Sequence, residues 1–291
     1  MDESRRNFVK LMGLLFGGLA LGGCRRTELA PGNVATAADA DVALWKAEVR
    51  EAMSRALPAE DFVPVAVPGA RAKFPGEKNR FGMAIDLDLC NHCGECILAC
   101  MLENNIPRVT AEGASKGRYM HWIEMRGGIP VMCSQCGDAP CERVCPTGAA
   151  VASPDGPSMM VYSRCIGSRF CAANCPSRTR KFNYEDSRAL GLAAKFNPEV
   201  PLRERGVMEK CSLCAQRLRN DRLRVRMTGG DWRGKTVRSA CSEACPAHAI
   251  VFGNWLDPES PLSLAVRGRG VYALKSVAKW DPSVVYLMGK V

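Results

Sequence analysis

The chain is short of several things that would point to familiar chemistry. Three histidines stand in 291 residues, His92, His121 and His248. None pairs with a Ser or Cys in a way that suggests hydrolysis. No Gly-rich phosphate loop is present, so nucleotide binding has no local signature. Aromatics make up 7%, and no stretch interleaves them with Lys and Arg as a nucleic-acid platform would. The net charge of +10 therefore reads as a basic surface facing lipid or an acidic partner, with no nucleic acid. The apolar run from Leu11 to Gly23 falls well short of the roughly 20 residues that span a bilayer. No transmembrane helix is expected after Cys24.

Cysteine is what the chain has in excess. There are 16, and all but Cys24 lie between Cys90 and Cys245. Glycine (27) and proline (18) are also plentiful, which argues for a loop-rich protein.

The first residues read as an address. Arg5 and Arg6 lie in S-R-R-N-F-V-K, which resembles a twin-arginine export signal. The Gly-rich run behind it suits a signal h-region. It ends L-G-G-C, which resembles a lipoprotein cleavage box, with Cys24 as the lipidated residue. Residues 1–23 are therefore expected to be a signal peptide, placing the protein on the periplasmic side of the cytoplasmic membrane. The alternatives are ordinary cleavage near Gly23 or an uncleaved anchor. A twin-arginine route carries folded proteins that already hold a cofactor, which weighs against a disulfide framework.

Residues 24–80 are expected to be a tether and an N-terminal helix. Residues 25–38 read as the tether. Asp39 or Asp41 could cap a helix whose apolar stripe is Val42, Trp45, Val49 and Met53. Pro58, Pro64, Pro68 and Pro75 mark an extended connection. Strands are expected at Phe81–Leu89, His121–Met125, Met159–Ser163 and Ala249–Gly253. A short helix and a Gly229–Gly230 turn are expected between Cys214 and Cys241.

One supersecondary unit then repeats four times. The first copy is Cys90-x2-Cys93-x2-Cys96-x3-Cys100. The second is Cys133-x2-Cys136-x4-Cys141-x3-Cys145-Pro146. The third holds Cys165, Cys171 and Cys175-Pro176, with Ser168 where a cysteine would complete the run. The fourth is Cys211-x2-Cys214-x26-Cys241-x3-Cys245-Pro246. Such loops wrap three corners of an iron–sulfur cubane, and the last cysteine of each run serves another cluster. Zinc is the competing ligand for Cys-x2-Cys pairs.

These motifs resemble the four-cluster ferredoxin-type subunits of the polysulfide and dimethyl sulfoxide reductase class. RYMHWIEM, MVYSRCIGSRFCAANCP, GVMEKCSLC and the tail GVYALKSVAKWDPSVVYLMG look like the iron–sulfur part of alternative complex III. They also look like that of the quinone reductase complex of sulfate reducers. The resemblance covers residues 81–291. It implies an α+β fold of two nested ferredoxin-like dicluster modules, with short strands, short helices and many loops. Residues 81–130 with 205–255 would form one module, 131–185 the inserted one, and 256–291 a C-terminal tail. Clusters and short strands, not a large apolar core, are expected to hold it together.

The resemblance also implies a ligand scheme. Set one is Cys90, Cys93, Cys96 and Cys245. Set two is Cys133, Cys136, Cys141 and Cys175. Set three is Cys145, Cys165 and Cys171, with its vacancy at Ser168. Set four is Cys100, Cys211, Cys214 and Cys241. The implied cofactors are three [4Fe–4S] clusters and one [3Fe–4S] cluster. Serine ligation of a full cubane and loss of the site are the alternatives at Ser168. Arg164, Arg169, Arg178, Arg180 and Lys181 crowd motif three. They either raise a cluster's potential or form a solvated basic face.

The resemblance implies an exported electron-transfer subunit of a quinone or quinol oxidoreductase complex, with no catalytic site of its own. Its partners would be a multi-helix quinone-binding membrane subunit, a large molybdopterin-enzyme-like subunit and a multihaem cytochrome c. The lipid on Cys24 would add the membrane surface. A second reading is the wiring subunit of an exported molybdopterin enzyme acting on a sulfur compound. A reading from another class is a zinc-binding adaptor lipoprotein.

Overall fold

The computed structural model describes residues 31–55, 59–68, 79–186 and 197–290. The expected signal peptide, Arg5, Arg6 and Cys24 lie outside the described residues. The chain divides after Asp41 into two units. Of the first, only backbone from residue 31 onward is described, and it is helical. The second unit, Val42–Val291, carries all four cysteine motifs.

Helix α1 spans Pro31–Ser54, so it starts well before Asp39. Proline suits a first helical turn because its missing N–H needs no partner there. Residues 31–38, expected in the tether, are thus helical. The apolar stripe behaves as its spacing implies: Trp45 and Val49 are buried, Val42 and Met53 half-buried. Polar contacts add to it. Glu48 Oε1 meets His121 Nε2 at 2.9 Å, and Tyr119 Oη donates to Glu51 Oε1 at 2.6 Å.

The expected extended connection contains a strand, β1 (Phe62–Pro64). Strand β2 (Phe81–Asp86) stops earlier than the Phe81–Leu89 expectation, in a turn over 87–89. Helix α2 (Glu95–Glu103) and helix α3 (Ala111–Ser115) follow. Next come the hairpin β3 (Glu124–Arg126) and β4 (Ile129–Val131), and helix α4 (Pro140–Arg143). The hairpin β5 (Ala150–Ala152) and β6 (Ser158–Met160) leads to a 3-10 turn at Tyr162–Arg164 and helix α5 (Phe170–Ala173). Strand β7 (Lys181–Phe182) pairs with β8 (Met208–Glu209). Helix α6 (Ala215–Met227) and helix α7 (Ala240–Glu243) precede β9 (Ile250–Asn254). Helix α8 (Pro261–Ala265), β10 (Arg269–Leu274) and β11 (Val284–Lys290) complete the chain.

Short strands and helices joined by many loops make this the expected α+β ferredoxin-like architecture. The largest sheet has the order β1-β10-β11-β2-β9. Its central neighbours β11 and β2 run parallel, and the other pairs run antiparallel. Residues 256–291 therefore supply two inner strands rather than an appendage.

All six residues of β2 are buried, because both sheet faces are covered. Phe81, Met83 and Ile85 face one core with Phe252, Ile97, Met101 and Trp232. Ala84 faces the other with Trp255, Leu262 and Val285. A Cβ on Gly82 would lie 2.1 Å from Ser283 O, so strand and tail approach closely only through glycine.

The expectation of no large apolar core is corrected by this sheet. Its larger core includes Cys100, Cys133, Cys211, Cys241 and Cys245 in its wall. Around motifs two and three the apolar core is small: Ala139, Cys141, Cys171 and Met208.

Candidate iron–sulfur centres

The four motif loops share one backbone device. The residue two after the first cysteine is left-handed in every copy: His92 (φ 58°), Gln135 (φ 50°), Gly167 (φ 72°) and Leu213 (φ 55°). Such conformations cost non-glycine residues free energy and concentrate at functional sites. Motif three keeps the device although its next residue is Ser168. A Cβ on Gly167 would lie 2.3 Å from Gly206 O, so this loop requires glycine.

A second device follows the last cysteines. Gly148, Arg178 and His248 stand three residues on and are left-handed. They turn the next N–H back toward the sulfur. Ala149 donates to Cys145 Sγ at 3.2 Å and Ala249 to Cys245 Sγ at 3.3 Å. At Cys175 the hydroxyls of Ser177 and Thr179 lie 3.4 and 3.9 Å from the sulfur instead. Motif one lacks the proline after Cys100, and helix α2 runs on. There Asn104 Nδ2 approaches Cys100 Sγ at 3.6 Å and Cys214 Sγ at 4.0 Å. Sequence reading missed Asn104. Its signal was its place, four residues after Cys100, matching Ala149, Thr179 and Ala249.

The thiols influence one another's charge in groups. Burial pushes the Cys96 thiol up to about 12, helped by repulsion from Cys90, Cys93 and Cys245. Cys100 is raised by burial and by Cys211, Cys241 and Cys214. Cys136 is raised by burial and by Cys133, Cys141 and Cys175. Cys171 is raised by burial, with Cys145 and Cys165 as charged neighbours. Ser168 is exposed. Adjacent sets also touch electrostatically: Cys241 with Cys96, and Cys211 with Cys133.

All fifteen described cysteines are free. Among the described residues no three His, Cys, Asp or Glu side chains close around a single point as one metal ion needs. The donor set suits clusters: it is all sulfur, largely buried and crowded with like charge. Ionising such thiols is costly unless positive charge is brought among them. N–H groups already point at several of the sulfurs. Met208 N donates to Cys165 Sγ and Ala240 N to Cys214 Sγ, each at 3.4 Å.

A scan against protein-family models finds no match. Relatives are found among characterised chains. The menaquinone reductase iron–sulfur cluster-binding subunit of Nitratidesulfovibrio vulgaris is 35% identical over 234 residues, 74% of this chain and 91% of the relative. The Hdr-like menaquinol oxidoreductase iron–sulfur subunit 1 of Archaeoglobus fulgidus is 33% identical over 237 residues, 72% of this chain and 84% of the relative. The arsenate respiratory reductase iron–sulfur subunit of Shewanella sp. strain ANA-3 is 32% identical over 231 residues, 72% of this chain and 96% of the relative.

The chain belongs to this family of iron–sulfur subunits.

The basic residues of this iron–sulfur subunit sort into two kinds. Arg164, Arg169 and Arg178 are exposed. Arg180 is buried, and its guanidinium donates to Cys141 Sγ at 3.0 Å. Lys181 bonds Glu124. The solvated face expected of this cluster is seen for Arg164, Arg169 and Arg178, while Arg180 turns inward to sulfur. Ile166 (70%) and Phe170 (56%) are unusually exposed for large apolar side chains and flank Cys165 and Cys171. Helix α6 and the Gly229–Gly230 turn stand where expected. Its Arg217 bridges Glu103 and Glu243, and Arg222 pairs with Asp155. His92 is exposed, with Nδ1 against Gly128 O.

Proposed function

We propose that this chain is an exported electron-transfer subunit of a membrane quinone or quinol oxidoreductase complex. In this reading it holds three [4Fe–4S] clusters on sets one, two and four, and one [3Fe–4S] cluster on set three. Bound clusters supply one-electron transfer; the protein supplies position, insulation and charge. What supports the reading most is that the buried thiols take one another as charged neighbours in the pattern the ligand scheme requires.

Electrostatic coupling between sets gives this reading an order along the thiols. Cys96 neighbours Cys100 and Cys241, Cys211 neighbours Cys133, and Arg180 stands against both Cys141 and Cys171. The order is one, four, two, three. Both ends reach the surface: Cys93 and Leu89 are exposed at set one, Ile166 and Phe170 at set three.

Partners follow from chemistry and from relatives. The exposed Ile166 and Phe170, with the exposed Arg164 and Arg169 beside them in the chain, suit docking on a quinone-binding membrane subunit. Apolar patches with polar rims mark such interfaces. Among the described residues no helix is long and apolar enough to cross a membrane. The menaquinone reductase and menaquinol oxidoreductase relatives favour quinone chemistry. The arsenate reductase relative keeps the second reading, the wiring of a molybdopterin enzyme. A large molybdopterin-enzyme-like subunit and a multihaem cytochrome c complete the proposed complex. Residues 1–23 would direct twin-arginine export, and a lipid on Cys24 would tether the chain. Fatty-acid labelling that persists in Cys24→Ala would remove the tether from the proposal.

The loop of motif three keeps its left-handed Gly167 and three sulfurs, so Ser168 reads as a built vacancy. The test is iron analysis with electron paramagnetic resonance on anaerobically purified wild type and Ser168→Cys. About fifteen irons per chain are expected for three cubanes and a three-iron centre. An oxidised three-iron signal should appear in wild type and vanish in Ser168→Cys. Four reduced cubanes in wild type would sink the three-iron assignment. Colourless, zinc-loaded protein would sink the reading as a whole.

A further inference from the structure

Arg180 is 6% exposed. No carboxylate pairs with it among the described residues. Its Nη2 donates to Cys141 Sγ and its Nη1 to Met160 Sδ, both at 3.0 Å. Its charge also acts on Cys171, Cys133 and Cys175, and Cys171 packs in the same buried cluster as Cys141. Cys141, Cys133 and Cys175 belong to set two, and Cys171 belongs to set three. A buried cation without a carboxylate is costly. The counter-charge for this one is sulfur, and it comes from two sets at once.

We infer that Arg180 is a positioning residue for electron transfer, a shared cation that raises the reduction potential of the centres on both sets two and three. The inference rests on the cluster reading above. Adding one electron to either centre adds one negative charge and no atoms. A fixed guanidinium stabilises that charge, and the low local dielectric strengthens the effect. The N–H···S bond to Cys141 acts in the same direction, by drawing charge from the thiolate. Sets one and four carry no such bond from Arg180, so the effect should be local. Arg164, Arg169 and Arg178 cannot substitute, because water screens their exposed charges.

The test is potentiometric titration followed by electron paramagnetic resonance on wild type, Arg180→Gln and Arg180→Lys, with iron counted in each. Arg180→Gln should lower the midpoints of both adjoining centres. The expected loss is about tenfold in the reduced-to-oxidised ratio at fixed potential, which is 59 mV for a one-electron couple. The midpoints of the other two centres should stay in place. Arg180→Lys should recover most of the shift, since it keeps the charge and loses the fork. Unchanged midpoints in a fully loaded Arg180→Gln protein would overturn the inference. If Arg180→Gln loses iron, Arg180→Lys decides. Full loading with midpoints close to wild type supports the shared cation. Iron loss there too makes Arg180 purely structural and overturns it. Wild type without clusters would instead fail the functional reading, which separates the two failures.

Discussion

Arg203 and Glu209 form an ion pair at 2.9 Å with side chains 1% and 0% exposed. Arg203 also donates to Asn104 O at 2.6 Å and Asn105 O at 2.9 Å. The pair thus ties the end of helix α2, which carries Cys100, to strand β8, which leads into Cys211. Both cysteines are assigned to the proposed set four, so the pair braces two of its segments against each other. Breaking a buried pair leaves an uncompensated charge. Glu209→Gln should cost about 3–5 kcal/mol, read as a fall in the denaturant midpoint of the loaded protein. A change below about 1 kcal/mol would mean that the partners of Arg203 other than Glu209 suffice to hold it.

The loop behind helix α6 depends on one carboxylate. Asp221 accepts from Trp232 Nε1 at 2.8 Å and Thr236 Oγ1 at 3.1 Å, and it bonds Arg224. Burial raises its carboxyl. The bonds from Arg224, Trp232 and Thr236, with the Arg224 charge, outweigh this and hold it below the usual range. A lowered carboxyl stabilises the fold above the unfolded-state value near 3.9 and loses that contribution as pH falls through its folded value. Asp221→Asn should therefore cost about 2 kcal/mol at pH 7. The gap between wild type and variant should close as pH drops below about 4. Urea titrations of both proteins across that range check this, and a gap independent of pH would contradict it.

Iron removal should act unevenly. The large sheet has apolar cores on both faces, while Cys141 of motif two and Cys171 of motif three sit in a small separate cluster. Metal binding supplies folding free energy where a core is small. Chelation should release amide protons of residues 133–182 first, while β2, β9 and β11 keep slow exchange. Hydrogen exchange with mass spectrometry reads this. Uniform loss across the chain would show that the sheet also depends on the clusters.

Much of this molecule is legible along the chain. Cysteine spacing is local chemistry, and a Cys-x2-Cys loop wraps a cluster wherever it is placed. The stripe of Trp45 and Val49, helix α6 and the strand leading into Cys90 follow from local pattern as well. Ser168 declares itself only because its neighbours complete a motif.

Tertiary structure decided the rest. Nothing near Cys100 in sequence says that it will stand with Cys211, Cys214 and Cys241; a resemblance had to supply that pairing. β11 lies parallel to β2, and such a pairing spans most of the chain, beyond any local pattern. Arg164, Arg169, Arg178 and Arg180 look alike in sequence, yet only Arg180 is buried against sulfur. Local spacing sets what a residue can do, because ligand chemistry acts over a few bonds. Burial and long-range contact set which residue does it, because charge is strong only where water is excluded.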